Sequence, residues 1–82
     1  MFYAYVIKSL LNDFYYKGHC VNLEVRLLEH NSGKTKSNKH YAPFKIVYFE
    51  ELETRLEAIN REKYFKTAAG RRFLKTKITW VP

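Results

Sequence analysis

An unbroken run of apolar and aromatic residues near the start of the chain constrains the fold more than any other feature. The residues at positions 2–7 are Phe-Tyr-Ala-Tyr-Val-Ile. Successive side chains of a strand point to opposite faces, so a strand over Phe2–Ser9 would be apolar or aromatic on both faces. The sequence therefore predicts that this strand lies at the centre of its sheet.

A second strand and a helix are predicted directly after it. The Asn-Asp pair at positions 12–13 favours a turn, so Phe14–His19 is expected to return as an antiparallel strand. Gly18, near the end of that strand, indicates a bend or a close approach of the backbone. Asn22 is a favourable N-cap residue and predicts a helix over Leu23–Asn31.

The middle of the chain is predicted to form a polar loop followed by a third strand. The loop covers Ser32–Pro43 and is rich in lysine, and loops of this length are often functional. The strand is expected over Phe44–Leu52. Strict alternation would place Phe44, Ile46 and Tyr48 on one of its faces.

Two helices and a tail complete the chain. The capping-box pattern Thr54–Glu57 starts a helix that is expected to run to about Thr67 and to stop near Gly70. A short basic helix is predicted over Arg71–Lys77, and residues 79–82 are expected to form a loose tail.

These elements predict one small domain of α+β type (α/β in the broad sense) over residues 1–82. Its core would span residues 2–75, and residues 76–82 would be a tail. The predicted architecture is a three-stranded, mostly antiparallel sheet flanked by helices, in the order β-β-α-β-α-α. A chain of 82 residues buries only ~60% of its unfolded surface, so the 17% of aromatic residues must fill much of the core.

The charge balance favours a polyanionic partner. The chain has 15 Lys and Arg against 8 Asp and Glu, a net charge of +7. A basic domain of this size indicates nucleic acid, although a basic surface without any partner is the plain alternative. The loop lysines Lys34, Lys36 and Lys39 and the neighbouring His40 are interpreted as contacts to backbone phosphate.

Several classes of protein are excluded or disfavoured. The single cysteine, Cys20, excludes an intramolecular disulfide and a multi-cysteine zinc site. No apolar run reaches the ~18 residues of a membrane span, and no secretory signal is evident, so a cytoplasmic location is expected. Gly33-Lys34-Thr35 is similar to the end of a phosphate-binding P-loop, but Leu28 stands where that motif requires its first glycine.

Glu62 is the position with the strongest case for chemistry. A helical wheel places it within an apolar arc formed by Leu56, Ala58, Ile59 and Phe65. A carboxylate on a core-facing stripe is costly unless it is paired or binds a metal ion. Two interpretations stay open: an ion pair with Arg26 or a lysine, and an unpaired ligand for Mg²⁺ or Mn²⁺.

Arg26 and His30 lie four residues apart on the first helix and project together from it. The guanidinium of Arg26 can bind two phosphate oxygens, and the alternative is an ion pair with Glu29 or Glu57. His30 can act as a general base near neutral pH, or it can hold a tyrosine hydroxyl in position. Taken alone, such a histidine is also compatible with a half-buried structural role.

Tyr5 and Tyr16 occupy adjacent predicted strands. A buried tyrosine usually packs its ring and finds one partner for its hydroxyl, which is the structural alternative for both. With an unperturbed pKa of ~10, a tyrosine is a poor base unless nearby positive charge lowers that pKa. Facing Arg26 and His30, the two tyrosines would form a compact cluster for proton handling and phosphate orientation.

In this order the motifs resemble the GIY-YIG nuclease domain, in particular the small stand-alone bacterial proteins of that family. The resemblance covers about residues 2–75. It rests on these segments in sequence order: Tyr3-Ala4-Tyr5, Tyr16-Lys17-Gly18, Leu23-Glu24 with Arg26-Leu27, His30-Asn31 with Gly33, Pro43 to Tyr48, and Ala58 with Arg61-Glu62. The first signature has Tyr3 and Ala4 in place of its Gly and its Ile, and Lys17 replaces Ile in the second.

The resemblance implies a reaction and a set of roles. The reaction is one-metal hydrolysis of a DNA phosphodiester bond with Mg²⁺ or Mn²⁺ as the cofactor. Tyr5 and Tyr16 correspond to the two signature tyrosines, Arg26 to the catalytic arginine, and His30 to the position one helical turn later. Glu62 corresponds to the single metal-binding glutamate. Lys17 would add a phosphate contact.

Two functions follow from these observations. The first is a divalent-metal-dependent DNA endonuclease or nickase of low sequence specificity. The second is a non-catalytic nucleic-acid-binding module that keeps the fold and the basic face. The presence of all five candidate groups favours the first function, whereas the small size and the lack of a separate targeting domain keep the second open.

Overall fold

The computed structural model describes residues 1–35 and 38–78. Its regular elements follow the predicted order, which confirms the α+β architecture: β1 (Phe2–Ser9), β2 (Tyr15–Cys20), α1 (Leu23–Asn31), a 3₁₀ turn (Lys39–Tyr41), β3 (Phe44–Leu52), α2 (Arg55–Phe65) and α3 (Ala68–Lys77). The predicted tail at residues 79–82 lies outside the described residues. Within those residues, no helix is long and apolar enough to cross a membrane.

The sheet has the order β2-β1-β3, and both pairings are antiparallel. β1 is therefore the central strand, as its two apolar faces predict. The register pairs Tyr5 with Gly18 and Ala4 with His19. Because paired residues point to the same face, Tyr5 and Gly18 belong to one face of the sheet and Ala4 and His19 to the other.

The two faces of β1 carry two separate cores. On one face, Tyr5 and Ile7 pack with Leu23 and Leu27 of α1. On the other face, Ala4 and Val6 of β1 pack with Phe65 of α2, Leu74 of α3 and Ile78, which directly follows α3. Each face of the sheet is thus closed by a different part of the chain, α1 on one side and the α2–α3 pair on the other.

A β-bulge at Val47 changes the predicted pattern of β3. Ile7 pairs with Ile46 and Val6 pairs with Tyr48, so Val47 is the additional residue between them. A bulge shifts the alternation of the strand by one position. Ile46 therefore lies in the core beside α1, whereas Tyr48 packs against Val6 on the opposite side. The prediction that Phe44, Ile46 and Tyr48 share one face is wrong for Tyr48.

The end of α2 also differs from the prediction. The helix ends at Phe65, and Gly70 lies inside α3 rather than at a helix stop. Thr67 caps α3 by accepting a hydrogen bond from the Gly70 amide at 3.0 Å. A side chain at position 70 would overlap the carbonyl oxygen of Tyr64. Gly70 is therefore needed for the close approach of the two helices.

The apolar arc assigned to α2 needs one correction. Ala58 and Phe65 are fully buried, but Leu56 is 66% exposed. At 100° per residue, Leu56 lies nearly opposite these two residues, so it cannot share their face. The guanidinium of Arg61, next to the buried stripe, donates two hydrogen bonds to Glu50 at 2.7 and 3.1 Å.

Candidate active site

The hydroxyl of Tyr5 connects α1 to the centre of the sheet. It lies 2.8 Å from Nε2 of His30 and accepts a hydrogen bond from Nε of Arg26 at 3.3 Å. Arg26 and His30 are four residues apart on α1, so both side chains reach the same point on β1. The sequence pattern thus brings an arginine, a histidine and a tyrosine into one hydrogen-bonded group.

Gly18 creates the space that this group occupies. It lies opposite Tyr5 on β2, and a Cβ there would come within 2.5 Å of the Tyr5 hydroxyl and 2.6 Å of Cζ. The tyrosine ring therefore lies directly over the backbone of Gly18, as the close approach predicted at this position requires. Any larger residue would push the hydroxyl away from its partners on α1.

Tyr16 completes the aromatic side of the cluster. Its ring contacts His30 edge-on with centroids 4.9 Å apart, and its centroid lies 6.5 Å from that of Tyr5. Tyr16 is only partly buried, whereas Tyr5 and His30 have almost no exposed surface. Among residues 1–35 and 38–78, no side chain or backbone group forms a hydrogen bond with the Tyr16 hydroxyl.

The polar loop supports His30 from behind. Nδ1 of His30 lies 3.0 Å from Oγ1 of Thr35 and 3.2 Å from Nδ2 of Asn38. The Thr35 hydroxyl in turn donates to Oδ1 of Asn38 at 2.6 Å. The ring of His30 is therefore held at both nitrogens, by Tyr5 on one side and by Thr35 and Asn38 on the other.

Burial fixes the protonation states in this cluster. It raises the pKa of Tyr5 to about 12, against the opposing effect of the Arg26 charge. It lowers the pKa of His30, and the neighbouring Arg26 lowers it further. Burial alone would lower the pKa of Arg26, but hydrogen bonds to Tyr5 and Glu29 outweigh it and raise that pKa. At neutral pH the group therefore contains a protonated tyrosine, a neutral histidine and a charged arginine.

Arg26 has one further partner on its own helix. Its Nη1 donates to Oε1 of Glu29 at 3.1 Å, and both side chains are about one third exposed. This is one of the ion pairs that the sequence left open. Exposed pairs of this spacing contribute little to stability, so phosphate can compete with Glu29 for the guanidinium.

Glu62 is paired, as in the first of the two interpretations that the sequence left open. Its Oε1 lies 2.7 Å from Nδ1 of His19, and its Oε2 accepts a hydrogen bond from Nζ of Lys66 at 2.7 Å. The sequence left open an ion pair of Glu62 with Arg26 or with a lysine, and the lysine is the partner observed. Arg26 bonds to Tyr5 and Glu29 instead. Burial raises the pKa of Glu62, but the hydrogen bonds from Lys66 and His19 outweigh it and hold that pKa below its usual value.

The five candidate residues fall into two groups. Tyr5, Tyr16, Arg26 and His30 converge on the α1 side of the sheet, whereas Glu62 meets His19 on the α2 side. The two groups share β2, which is an edge strand. Its successive residues alternate between the groups, so the free edge of β2 is the place where both faces are reached from solvent.

The residues at Glu62 are compatible with a bound metal ion. Magnesium is often held by one or two carboxylates together with waters and substrate phosphate, so a single glutamate suffices. Glu62 is largely shielded but not fully buried, and His19 offers a nitrogen beside it. Over the described parts of the chain, no group of three or more His, Cys, Asp or Glu is placed to hold a metal ion.

The predicted phosphate contacts are spread over two places. Lys34, Lys39 and His40 are exposed in the loop between α1 and β3, and Lys36 lies outside the described residues. Lys17 is instead half-buried on β2, where burial and the charges of Arg71 and Lys66 lower its pKa. It lies on the same face as His19, two residues away.

Three residues of the site were not anticipated: His19, Thr35 and Asn38. The pair Glu62–Lys66 has the i,i+4 spacing of a helical ion pair, so the sequence contained a signal for it. The contact between His19 and Glu62 joins positions 43 residues apart and depends on the strand register. No local pattern indicates it.

Comparison of the sequence with known proteins identifies its family. A sequence profile described as the GIY-YIG catalytic domain matches residues 1–76. UPF0213 protein SH2523 of Staphylococcus haemolyticus is 36% identical over 74 residues, which is 89% of each chain. UPF0213 protein CPE1444 of Clostridium perfringens is 40% identical over 67 residues, covering 80% of this chain and 71% of that protein. No solved structure matches. The chain belongs to the GIY-YIG catalytic-domain family.

Proposed function

We propose that this protein is a DNA endonuclease or nickase that hydrolyses phosphodiester bonds with Mg²⁺ or Mn²⁺ and has low sequence specificity. The main support is the hydrogen-bonded group of Tyr5, Arg26 and His30 in a chain of a nuclease family. A buried tyrosine alone is ordinary. A tyrosine that also engages an arginine able to bind phosphate is a better match to phosphodiester chemistry.

Arg26 is the residue that we assign to the developing negative charge. Its side chain is one third exposed, and its Nη1 bonds to the carboxylate of Glu29, which is itself about one third exposed. Tyr5 accepts from Nε and so fixes the direction in which the rest of the guanidinium points. An arginine held in this way needs little reorganisation when charge accumulates on the phosphate oxygens.

The two tyrosines have different roles in this proposal. Tyr5 is fully buried, and its pKa of about 12 keeps it protonated, so it is a positioning residue and not a base. Tyr16 is partly exposed, and its hydroxyl has no hydrogen bond within the described residues. Tyr16 is therefore the tyrosine that orients the attacking water. His30 is a positioning residue, because it is wholly buried behind Tyr5.

Glu62 would hold the metal ion through an oxygen now bonded to His19 or Lys66. A divalent ion bound there supplies Lewis-acid polarisation of a phosphate oxygen and charge neutralisation. Lys66, which now bonds to Oε2 of Glu62, would be free to contact phosphate if that oxygen held the ion. A cytoplasmic location, where DNA is accessible in a bacterium, is part of the same proposal.

The proposal is tested by incubating the purified protein with supercoiled plasmid and with branched DNA. Each substrate is treated with Mg²⁺, with Mn²⁺ and with EDTA. Nicking is expected with metal ions and not with EDTA. Arg26→Ala and Glu62→Gln should each reduce cleavage at least a hundredfold, because each removes a charged group that stabilises the transition state.

Matched controls are available on the surface. Arg72→Ala and Glu53→Gln change exposed residues of the same types and should retain full activity. Binding of DNA without metal-dependent cleavage under any condition would overturn the nuclease proposal and support the non-catalytic binding module. Cleavage that survives Glu62→Gln would place the metal ion elsewhere or reveal a contaminating nuclease.

A further inference from the structure

The positive charge of the chain is concentrated beyond Glu62. Residues 63–77 contain none of the eight acidic residues and six of the fifteen basic ones: Lys63, Lys66, Arg71, Arg72, Lys75 and Lys77. Most of these side chains are exposed on α3 or on the last turn of α2. This segment accounts for nearly all of the net charge, and none of the phosphate contacts predicted from the sequence lies in it.

A pocket of about 160 Å³ lies between β2 and α3. Four of its lining residues are apolar or aromatic: Val6, Tyr15, Leu74 and Ile78. The other three are basic: Lys17, Arg71 and Lys75. An apolar pocket bordered by cations fits a ligand that is flat and apolar in one part and anionic in another.

The cations at this pocket have no acidic partner among the described residues. Within residues 1–35 and 38–78, no carboxylate forms an ion pair with Lys17, Arg71 or Lys75. Partial burial lowers the pKa of Lys17, and the charges of Arg71 and Lys66 lower it further. Lys17 and Arg71 also line the same pocket. Like charges held together without an acid are relieved by a bound anion.

The pocket and Glu62 lie beside the same face of β2. Tyr15, Lys17 and His19 alternate with the residues of the opposite face, so they are spaced ~7 Å apart on the α2–α3 side. His19 bonds to Glu62 at one end of this row, and Tyr15 lines the pocket at the other.

We propose that this pocket is a nucleotide-binding site for a DNA strand that passes Glu62. Lys17, Arg71 and Lys75 contact backbone phosphates, and the apolar lining takes one base that is not stacked in a duplex. The identity of the polymer rests on the proposed function. The substrate class is then DNA with an unpaired segment beside the cleaved bond, because a paired base cannot enter the pocket.

The phosphate contacts are tested by binding alone, in EDTA, with a fluorescent single-stranded oligonucleotide and fluorescence anisotropy. Arg71→Gln should weaken binding about three- to tenfold and reduce the slope of log affinity against log salt by about 0.7. Arg72→Gln is the matched control, since it removes the same charge from the next residue and does not line the pocket. Equal effects of the two variants would overturn the assignment of these contacts.

Binding of a base in the pocket is tested with an oligonucleotide that contains abasic sites. Such an oligonucleotide lacks bases but keeps every phosphate, so its charge is the same. The intact oligonucleotide should bind at least about fivefold more tightly, since stacking of one base contributes at least that factor. A 5-iodouracil base should crosslink to Tyr15 on irradiation. Equal affinity for the two oligonucleotides, or crosslinks confined to the loop between α1 and β3, would overturn the base site.

The binding measurements test the nucleotide site separately from the proposed nuclease activity. All binding is measured without metal ions, so a protein that cannot cleave DNA still reports on the pocket. Conversely, cleavage abolished by Glu62→Gln but indifferent to Arg71→Gln would support the nuclease and reject the nucleotide site. A duplex that binds as tightly as the single strand at equal charge would also reject it.

Discussion

The hydroxyl of Tyr5 and Nε2 of His30 are 2.8 Å apart in the interior of the protein. The contact joins the central strand to α1 and leaves the imidazole with no access to solvent. A histidine in such a place is neutral in the folded protein, because burial and the nearby Arg26 lower its pKa from the usual 6.5. Protonation of His30 therefore opposes folding.

Stability should fall as the solution becomes mildly acidic. The unfolded chain binds a proton at His30 near pH 6.5, while the folded protein resists it, so the unfolded state gains protons first. This contribution is complete above about pH 6.5 and is lost as pH falls from there through the lower folded pKa. Urea unfolding between about pH 7 and about pH 5 should show a decreasing free energy of unfolding.

Two variants identify the group responsible. His30→Asn should be less stable at neutral pH but should lose less stability over this range. His40→Gln changes an exposed histidine and should retain the wild-type slope. Glu50 and Glu62 have lowered pKa values, so their contribution is lost only below about pH 4.5 and does not interfere. An unchanged slope in His30→Asn would contradict the assignment.

Gly18→Ala should destabilise the protein and displace the Tyr5 hydroxyl. The added methyl group would lie 2.5 Å from that hydroxyl and 3.1 Å from Cε2 of Tyr16, so the rings must move. Overpacking of this kind costs about 1–3 kcal/mol, measured by denaturant unfolding. Gly33→Asn is the control: Gly33 has φ of 80°, which Asn tolerates, and its side chain would meet little. If Gly18→Ala left the free energy of unfolding unchanged, β1 and β2 would have to move apart easily at this position.

Local patterns predicted most of the fold because its elements begin with local signals. The Asn22 side chain accepts from the Val25 amide, and Thr54 and Glu57 form the predicted capping box. The bulge at Val47 depends on pairing with β1, which no local pattern specifies. Gly70 has the composition of a helix stop, but the packing of α3 against Tyr64 overrides it.

The parts of the site that follow from helix and strand periodicity were predictable, and the parts that depend on strand register were not. Arg26 and His30 share a helix face at i,i+4 spacing, and alternation directs Tyr5 towards one face of β1, so their meeting follows from two periodicities. Glu62 was placed correctly within a buried stripe, but its partner His19 depends on the register of β2. Sequence alone also cannot tell which face of a doubly buried strand each helix covers.

Lys66→Gln should increase the affinity of the protein for Mn²⁺ about twofold. Lys66 bonds to Glu62 one turn earlier on the surface, and such pairs are worth ~0.3–0.5 kcal/mol, which a metal ion must overcome. Binding is measured by the loss of the free Mn²⁺ signal in electron paramagnetic resonance. Lys63→Gln, an exposed lysine of α2, should leave the affinity unchanged. If Glu62→Gln binds Mn²⁺ as well as the wild type, the ion is not held at this carboxylate.

Arg61→Lys should reduce stability by about 1–2 kcal/mol although the charge is retained. The guanidinium donates two hydrogen bonds to Glu50, at 2.7 and 3.1 Å, and lies 4.7–5.3 Å from the ring centroids of Tyr64, Phe65 and Phe73. An ammonium group cannot reproduce both the fork and the stacking. Arg55→Lys is the control, because Arg55 lies over a single ring in the described part of the chain and should lose less. Cleavage by folded Arg61→Lys should equal that of the wild type, since Arg61 fastens α2 to β3 and does not reach the Tyr5 cluster. A midpoint of unfolding equal to the wild type would show that the pair with Glu50 adds nothing to the fold.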